Sequence, residues 1–383
     1  MNLSVQKREE SLGWGVLVVY LGALALALFV CALMLSLSGK PGLQGMFILF
    51  RGAFGQGYSL LDSLTKAIPI FLCALGVALS FRMQVWNIGA EGQFALGAVG
   101  GTWAALTFAG LPGFVLLPLM LVCALACGAA WGLIPGALKM RLGVSEIITS
   151  LMLNYIGALV LEYLVFGVWK DPASFGFPMT AEFGPGGQIA RIAPGVLGKL
   201  HWGVLACPVA GLAYALFLSR TRLGFELVAC GEGERVARYA QMPYGFLVLL
   251  VMGLGGALAG LAGTIEASAT LGRLQPTLLV GYGYTAIVVA WLARLKPLPI
   301  AFTAFLLASF RVGVEVMQLE LQVPAAIGSI MEGAILLFVI AGQFFLTYSV
   351  TLVRPASPTS PSPPRGSGSN GTSGSNETKG AGA

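Results

Sequence analysis

Long apolar runs separated by short polar breaks set the pattern of this chain, falling near residues 14–37, 64–81, 88–108, 113–138, 146–168, 202–219, 245–265, 278–293, 298–315 and 325–347. An α-helix needs about 20 residues to cross roughly 30 Å of hydrocarbon, and most of these runs approach or exceed that length. In lipid every backbone polar group must be paired within its own segment, so runs of this kind fold as helices. The pattern predicts an all-α fold, a polytopic transmembrane helical bundle of about ten spans over residues 1–354. The run at 14–37 is too long for the roughly 7–15 apolar residues of a signal-peptide core and reads as an uncleaved anchor.

Three stretches break the pattern. Residues 169–200 carry Pro172, Pro178, Pro185, Gly186, Gly187 and Pro194 and read as an ordered external loop. Residues 220–243 form the longest charged connection. Residues 355–383 are rich in Pro, Ser and Gly with almost nothing to bury, which predicts a disordered cytoplasmic tail.

Composition and charge narrow the class. Only 10% of residues are charged and 57% are hydrophobic, against roughly a quarter charged in a soluble domain, which excludes an ordinary globular enzyme. The formal charge of +6 is scattered in ones and twos between apolar runs, so membrane topology explains it and no nucleic-acid partner is expected. Placing the N-terminus in the cytoplasm puts 14 of the 22 basic residues in inner loops, 7 outside and Arg311 within a span. This bias follows the positive-inside rule and puts both termini in the cytoplasm. Five of the six cysteines lie in apolar runs. Cys123 and Cys127 share a helical face, but the only histidine is the distant His201, so neither a metal site nor a cofactor is expected.

The polar groups at membrane depth carry the remaining information. Small residues four apart, Gly97 and Gly101, Gly256 and Gly260, Ala259 and Gly263, predict close helix packing. Glu91, Glu146, Glu162, Glu266, Arg311, Glu315 and Glu332 are costly there unless paired or wetted. Glu91 and Glu146 fall in first helical turns, where the dipole favours a carboxylate. Arg311 and Glu315, spaced i, i+4, can neutralise each other. Asn87 is placed to cap the helix that follows it.

In the inner loop, Glu232 and Glu234 precede Arg235 and Arg238, which suits a short helix with acid at its positive end and base at its negative end. Glu234 and Arg238 form a favourable i, i+4 pair. Such a helix, offering Val236, Ala237, Tyr239 and Ala240 on one side, either docks into a groove of a cytoplasmic protein or rests on lipid headgroups. No phosphate-binding or nucleophile motif accompanies these features, so no catalytic residues are assigned and ATP hydrolysis would fall to a partner chain.

Three motifs now carry a resemblance. NIGAEGQFALGA at 87–98, LGFELVACGEGERVARYAQMP at 223–243 followed by GGALAGLAGTIE at 255–266, and GYGYTAIVVAWLARLKPL at 281–298 resemble permease subunits of bacterial ABC importers. The chain looks most like the nucleoside-type branch of the branched-chain amino-acid and simple-sugar permease family, over about residues 60–347.

The resemblance implies a permease of the bacterial cytoplasmic (inner) membrane, working with cytoplasmic ATPase subunits, a second permease subunit and an extracytoplasmic solute-binding protein. It assigns Gly224, Glu226, Gly231, Glu232, Arg235, Ala237 and Tyr239 to the ATPase-coupling loop. Asn87, Glu91 and Gln93 mark the nucleoside-like branch and, with Tyr155 and Trp291, are candidates for the substrate pathway. Trp86, Tyr155 and Trp291 could stack on a base. Cys230 and the Gln241-Met242 pair depart from the family pattern. The expected function is alternating-access import of nucleosides or a related small polar solute. The alternatives are a sugar or branched-chain amino-acid permease and, from another class, an ion-coupled secondary transporter.

Overall fold

The computed structural model describes residues 2–7, 15–193, 195–233, 237 and 239–353. The tail at 355–383, together with Pro194, Glu234, Arg235, Val236 and Arg238, lies outside the described residues. The helices are α1 (Gly15–Leu37), α2 (Gly42–Phe54), α3 (Gly57–Arg82), α4 (Ala90–Thr107), α5 (Gly113–Leu142) and α6 (Glu146–Tyr163), then α7 (Ala206–Arg220), α8 (Arg222–Gly231), α9 (Tyr244–Glu266), α10 (Tyr282–Leu292), α11 (Pro297–Leu321) and α12 (Ala325–Thr347). Single π-helical turns extend α6 through Leu164–Val168 and α9 through Ala267–Leu271.

The membrane part is all-α. Seven helices are long and apolar enough to cross a bilayer, and Leu21–Leu37 and Pro276–Leu292 are shorter apolar helices. With the buried α4, this comes close to the expected ten. A two-stranded antiparallel ribbon pairs β1 (Asn2–Lys7) with β2 (Tyr348–Val353) and brings both ends of the described chain to one side of the bundle.

Two elements differ from the apolar pattern. The pattern gives no helix between 38 and 63, yet α2 forms there, held by its neighbours: its Gly45 packs on Leu35 and Met317, and its Gly52 on Val316. α3 begins seven positions before its apolar run because Ser63 and Thr65 return their hydroxyls to the carbonyls of Ser59 (2.8 Å) and Leu61 (2.9 Å). Hydroxyls satisfied on their own helix hide well in an apolar setting.

The core is organised around α9, where glycines bring backbone against backbone. Gly97 of α4 meets Gly260, Gly128 of α5 meets Gly256, and Gly76 of α3 meets Gly255. A Cβ at Gly76, Gly97, Gly128, Gly256 or Gly260 would overlap main-chain atoms of a neighbouring helix. Thr264 adds a hydroxyl donated to the Gly97 carbonyl at 2.9 Å. The small residues noted in the sequence thus join α9 to α4 and α5, and Gly76 and Gly255, which the spacing did not single out, add α3. A second apolar cluster gathers α1, α2, α11 and α12 around Leu35, Leu49, Met317 and Met331.

The external loop is stitched to the segment after α9. Thr180 N–H donates to Leu274 O (3.0 Å) and Phe183 N–H to Gly272 O (2.8 Å), while Ser268 donates to Gly187 O at 2.7 Å. At its end His201 is fully buried, and among the described residues neither ring nitrogen has a hydrogen-bond partner. Burial, reinforced by the Arg191 charge, lowers the His201 imidazole from 6.5 to about 4.

Two outcomes are expected. Gly260→Val strains the contacts with both α4 and α5 and lowers the thermal unfolding midpoint in detergent by the equivalent of about 1–3 kcal/mol or more, whereas Gly110→Ala, facing open space, leaves it unchanged. Because the unfolded chain takes up a proton on His201 before the folded one does, acidification from pH 6.5 towards 4 removes up to about 3 kcal/mol of stability. His201→Leu flattens that part of the pH–melting profile.

Candidate functional site

Between α3 and α4 the chain runs non-helically through Met83–Gly89, and the NIGAEGQ motif lies at the end of this link. Asn87 is fully buried; its Oδ1 accepts the Gly89 N–H (3.0 Å) and a Gln93 Nε2–H (3.1 Å). The N-cap of α4 is Gly89, so Asn87 organises the turn before the helix and does not cap it directly. Two residues of α6 anchor the link from the side. Ser150 Oγ accepts the Ile88 N–H (3.2 Å), and Asn154 accepts the Gly92 N–H (2.8 Å) while donating to Ile88 O (2.9 Å). Asn154 lies eight positions after Glu146, about 12 Å along α6, so α4 starts well inside the bundle.

Glu91 joins this start to a second one. Its carboxylate accepts the backbone N–H groups of Gly281 (3.0 Å) and Gly283 (2.6 Å), the opening turn of α10. α10 is only 11 residues long, too short to cross the hydrocarbon by itself. Glu91 therefore lies at the positive ends of two helices and satisfies donors that no intrahelical carbonyl can reach. Gly283 is required here, since a Cβ would strike the Glu91 backbone. From the other side, Arg311 Nη2 donates to Val280 O (2.7 Å) and the guanidinium lies 4.9 Å from the Tyr282 ring centroid.

The charges around Arg311 form a network wider than an i, i+4 pair. Glu315 is bound closely by Lys66 of α3 and stands 4.0 Å from Arg311, which also pairs with Glu332 of α12 at 3.5 Å. Glu146 pairs with Lys139 (2.5 Å) at the start of α6. Glu266 is buried with one carboxylate oxygen unpartnered among the described residues.

At the other end of α10, Trp291 stacks on Trp86 with centroids 5.5 Å apart and planes 22° apart, and Phe81 tilts against both. Arg82 closes α3 there, donating to the Tyr214 hydroxyl and to Leu295 O, both at 2.9 Å. α8 rests on this corner: Thr221 Oγ1 caps it by accepting the Gly224 N–H (3.0 Å), and Gly231 lies against Arg82 O. Arg222 and Glu226 form an i, i+4 pair at 2.8 Å.

The structure sorts the sequence candidates. Asn87, Glu91 and Gln93 come together but turn inward to protein partners. Trp291 joins Trp86, whereas Tyr155 is 59% exposed on the outer face of α6 and belongs to neither group. In the coupling loop Gly224, Glu226, Gly231 and Ala237 are buried, Glu232 and Tyr239 exposed. Within the loop one helix spans Arg222–Gly231; of the 231–240 stretch that charge suggested, Ala237 and Tyr239 are helical, and Glu234, Arg235, Val236 and Arg238 lie outside the described residues. Ser150, Asn154, Gly281, Gly283 and Arg311 hold the helix starts. For Ser150 and Asn154 the available signal was the polar stripe Glu146, Ser150, Asn154, Gly157 along an apolar helix.

A bundle whose helices begin inside the membrane, with backbone donors there held by buried polar groups, is a polytopic membrane protein of the transport class. The chain belongs to the family described as branched-chain amino acid transport system/permease component, whose model matches residues 59–340. It is 34% identical to a glucose ABC transporter permease protein of Haloferax volcanii, covering 79% of this chain and 81% of that one. It is 32% identical to a guanosine ABC transporter permease protein of Bacillus subtilis, covering 84% and 92%. With a nucleoside ABC transporter permease protein of Lactococcus lactis it shares 26% identity, covering 83% and 88%.

Glu91→Ala strips the acceptor from two helix-start donors and is expected to lower stability by about 2–4 kcal/mol, read as thermal unfolding of the purified permease. Tyr155→Ala, on an exposed face, changes it by no more than about 0.5 kcal/mol.

Proposed function

We propose that the chain is the membrane-spanning subunit of an ABC importer for nucleosides, held in the bacterial cytoplasmic membrane with both termini inside. Its partners are cytoplasmic ATPase subunits, a second permease subunit, identical or homologous, and an extracytoplasmic solute-binding protein. The observation that carries the solute class is similarity to guanosine and nucleoside permeases across nearly their whole lengths. The glucose permease relative supports a second reading in which the solute is a sugar.

The mechanism follows from how α8 is seated. ATP-driven closure of the ATPases presses on α8 and the loop to residue 243, where Phe225 and Tyr239 present exposed rings. Gly231 passes the displacement to the end of α3, and Arg82 links that end to Leu295 beyond α10. At its far end α10 is held to α4 by Glu91. Movement of α8 in this way reaches the mid-membrane helix starts and exposes the pathway alternately to each side. Asn87, Glu91 and Gln93 serve transport by holding those starts, and Trp291 by closing the inner end. Glu226 and Glu232, with Glu234, Arg235 and Arg238, complete the ATPase-facing loop.

Vesicle uptake of labelled guanosine is expected to stop when the partner ATPase cannot hydrolyse ATP and to resist competition by excess glucose. Uptake that continues on an ion gradient alone would establish a secondary transporter; competition by glucose would establish the sugar reading. Phe225→Ala combined with Tyr239→Ala, removing rings that are 68% and 94% exposed, is expected to weaken ATPase co-purification by about tenfold or more while the permease keeps its melting temperature.

A further inference from the structure

A cavity of about 540 Å³ opens at the inner end of the bundle, bounded by Phe81, Arg82, Gln84, Trp86, Val228, Glu232 and Trp291. Its volume falls within the roughly 300–1,000 Å³ of small-molecule sites. It touches the ends of α3, α8 and α10 at once, so an occupant would bridge the coupling helix to two membrane helices.

The walls have a definite chemistry. The Phe81, Trp86 and Trp291 rings, with centroids 5.0–5.8 Å apart, make a continuous aromatic surface. Glu232 and Gln84 stand exposed beside it. Gln84 holds a left-handed backbone with φ 56°. Its N–H donates to Phe81 O at 3.0 Å, so the turn needs only the backbone, and glycine would adopt it without strain. Glutamine in this conformation places an amide at the rim of an aromatic wall.

An aromatic face with a carboxylate and an amide at its edge matches a planar heterocycle that carries N–H donors and a carbonyl on its rim. The carboxylate accepts from adjacent N–H groups, and the amide both donates and accepts. Stacking of a base on such rings contributes about 1–3 kcal/mol. A sugar has no aromatic face and offers these rings only C–H contacts.

We propose that this cavity is a regulatory site for a purine nucleoside arriving from the cytoplasmic side, where its occupancy braces α8 against the ends of α3 and α10 and slows the transport cycle. The proposal rests on the nucleoside reading of the solute. It makes the imported compound an inhibitor of further import once it accumulates inside.

The test uses the transporter with its ATPases in nanodiscs. Guanosine is expected to quench tryptophan fluorescence saturably, with excitation beyond the guanine absorption, while ribose does not. Gln84→Gly weakens this binding by about tenfold, the size of one lost hydrogen bond, without lowering the melting temperature. With the solute-binding protein already saturated, extra guanosine lowers ATP turnover in the parent protein but not in Gln84→Gly, and the uninhibited turnover of the two is equal. Absence of quenching in the parent protein, or equal quenching in the variant, overturns the proposal. So does a loss of uninhibited turnover in Gln84→Gly, which would assign the cavity to the transport route. A transporter that ignores guanosine-loaded binding protein defeats the nucleoside reading instead, and the quenching experiment still decides whether the cavity binds the base.

Discussion

Two backbone N–H groups at the start of α10 have no intrahelical carbonyl within reach; Gly283 is buried and Gly281 partly so. Glu91 is the acceptor that makes this arrangement tolerable. The same carboxylate sits in the first turn of α4, so one side chain closes the positive ends of two interrupted helices. An orphan donor in a medium of low dielectric costs several kcal/mol, and so does an unpaired carboxylate. Placed together they neutralise each other's cost. Asn87, Gln93, Ser150 and Asn154 hold the Glu91 segment in register, and Arg311 holds the opposite side of the α10 turn through Val280 O.

Around this clasp the bundle divides by the kind of contact it uses. α9 meets α3, α4 and α5 through glycine backbones, contacts without adjustable side chains, which favour a rigid block. α8, the corner at Arg82 and α10 are joined by a few hydrogen bonds and stacked rings, which can exchange partners with small displacements. A transporter needs both, a frame that does not yield and a lever that does. The Trp86–Trp291 stack and the cavity beside it lie where frame and lever meet.

Much of the fold could be read in the sequence because lipid leaves few choices. Apolar runs must be helices, so the spans emerged with modest errors in their ends, and the glycine pairs 97/101 and 256/260 pointed to real close contacts. α2 was not legible, since a 13-residue helix with an arginine satisfies no spanning pattern and exists because Leu35, Met317 and Val316 offer it a seat. Glu91 stood out as a charge in a first turn, but its partners are main-chain amides some 190 positions away, and main-chain amides have no sequence signature. Ser150 and Asn154 carry no charge and so leave little mark on an apolar run, yet neutral polar side chains such as these make most of the hydrogen bonds to the link before α4. Tyr155 shows the converse: an aromatic in the right neighbourhood of the chain can face away from the others.

The joint between α4 and α10 depends on the Glu91 carboxylate holding the start of α10. Hydrogen exchange at the Gly281 and Gly283 amides, followed in the assembled transporter, tests this most directly. Both amides are predicted to exchange as slowly as those of the α9 core in the native chain, and to speed up selectively in Glu91→Ala while the α9 amides remain protected. Exchange at these two glycines as fast as in exposed loops of the native protein, or unchanged by the substitution, would contradict it.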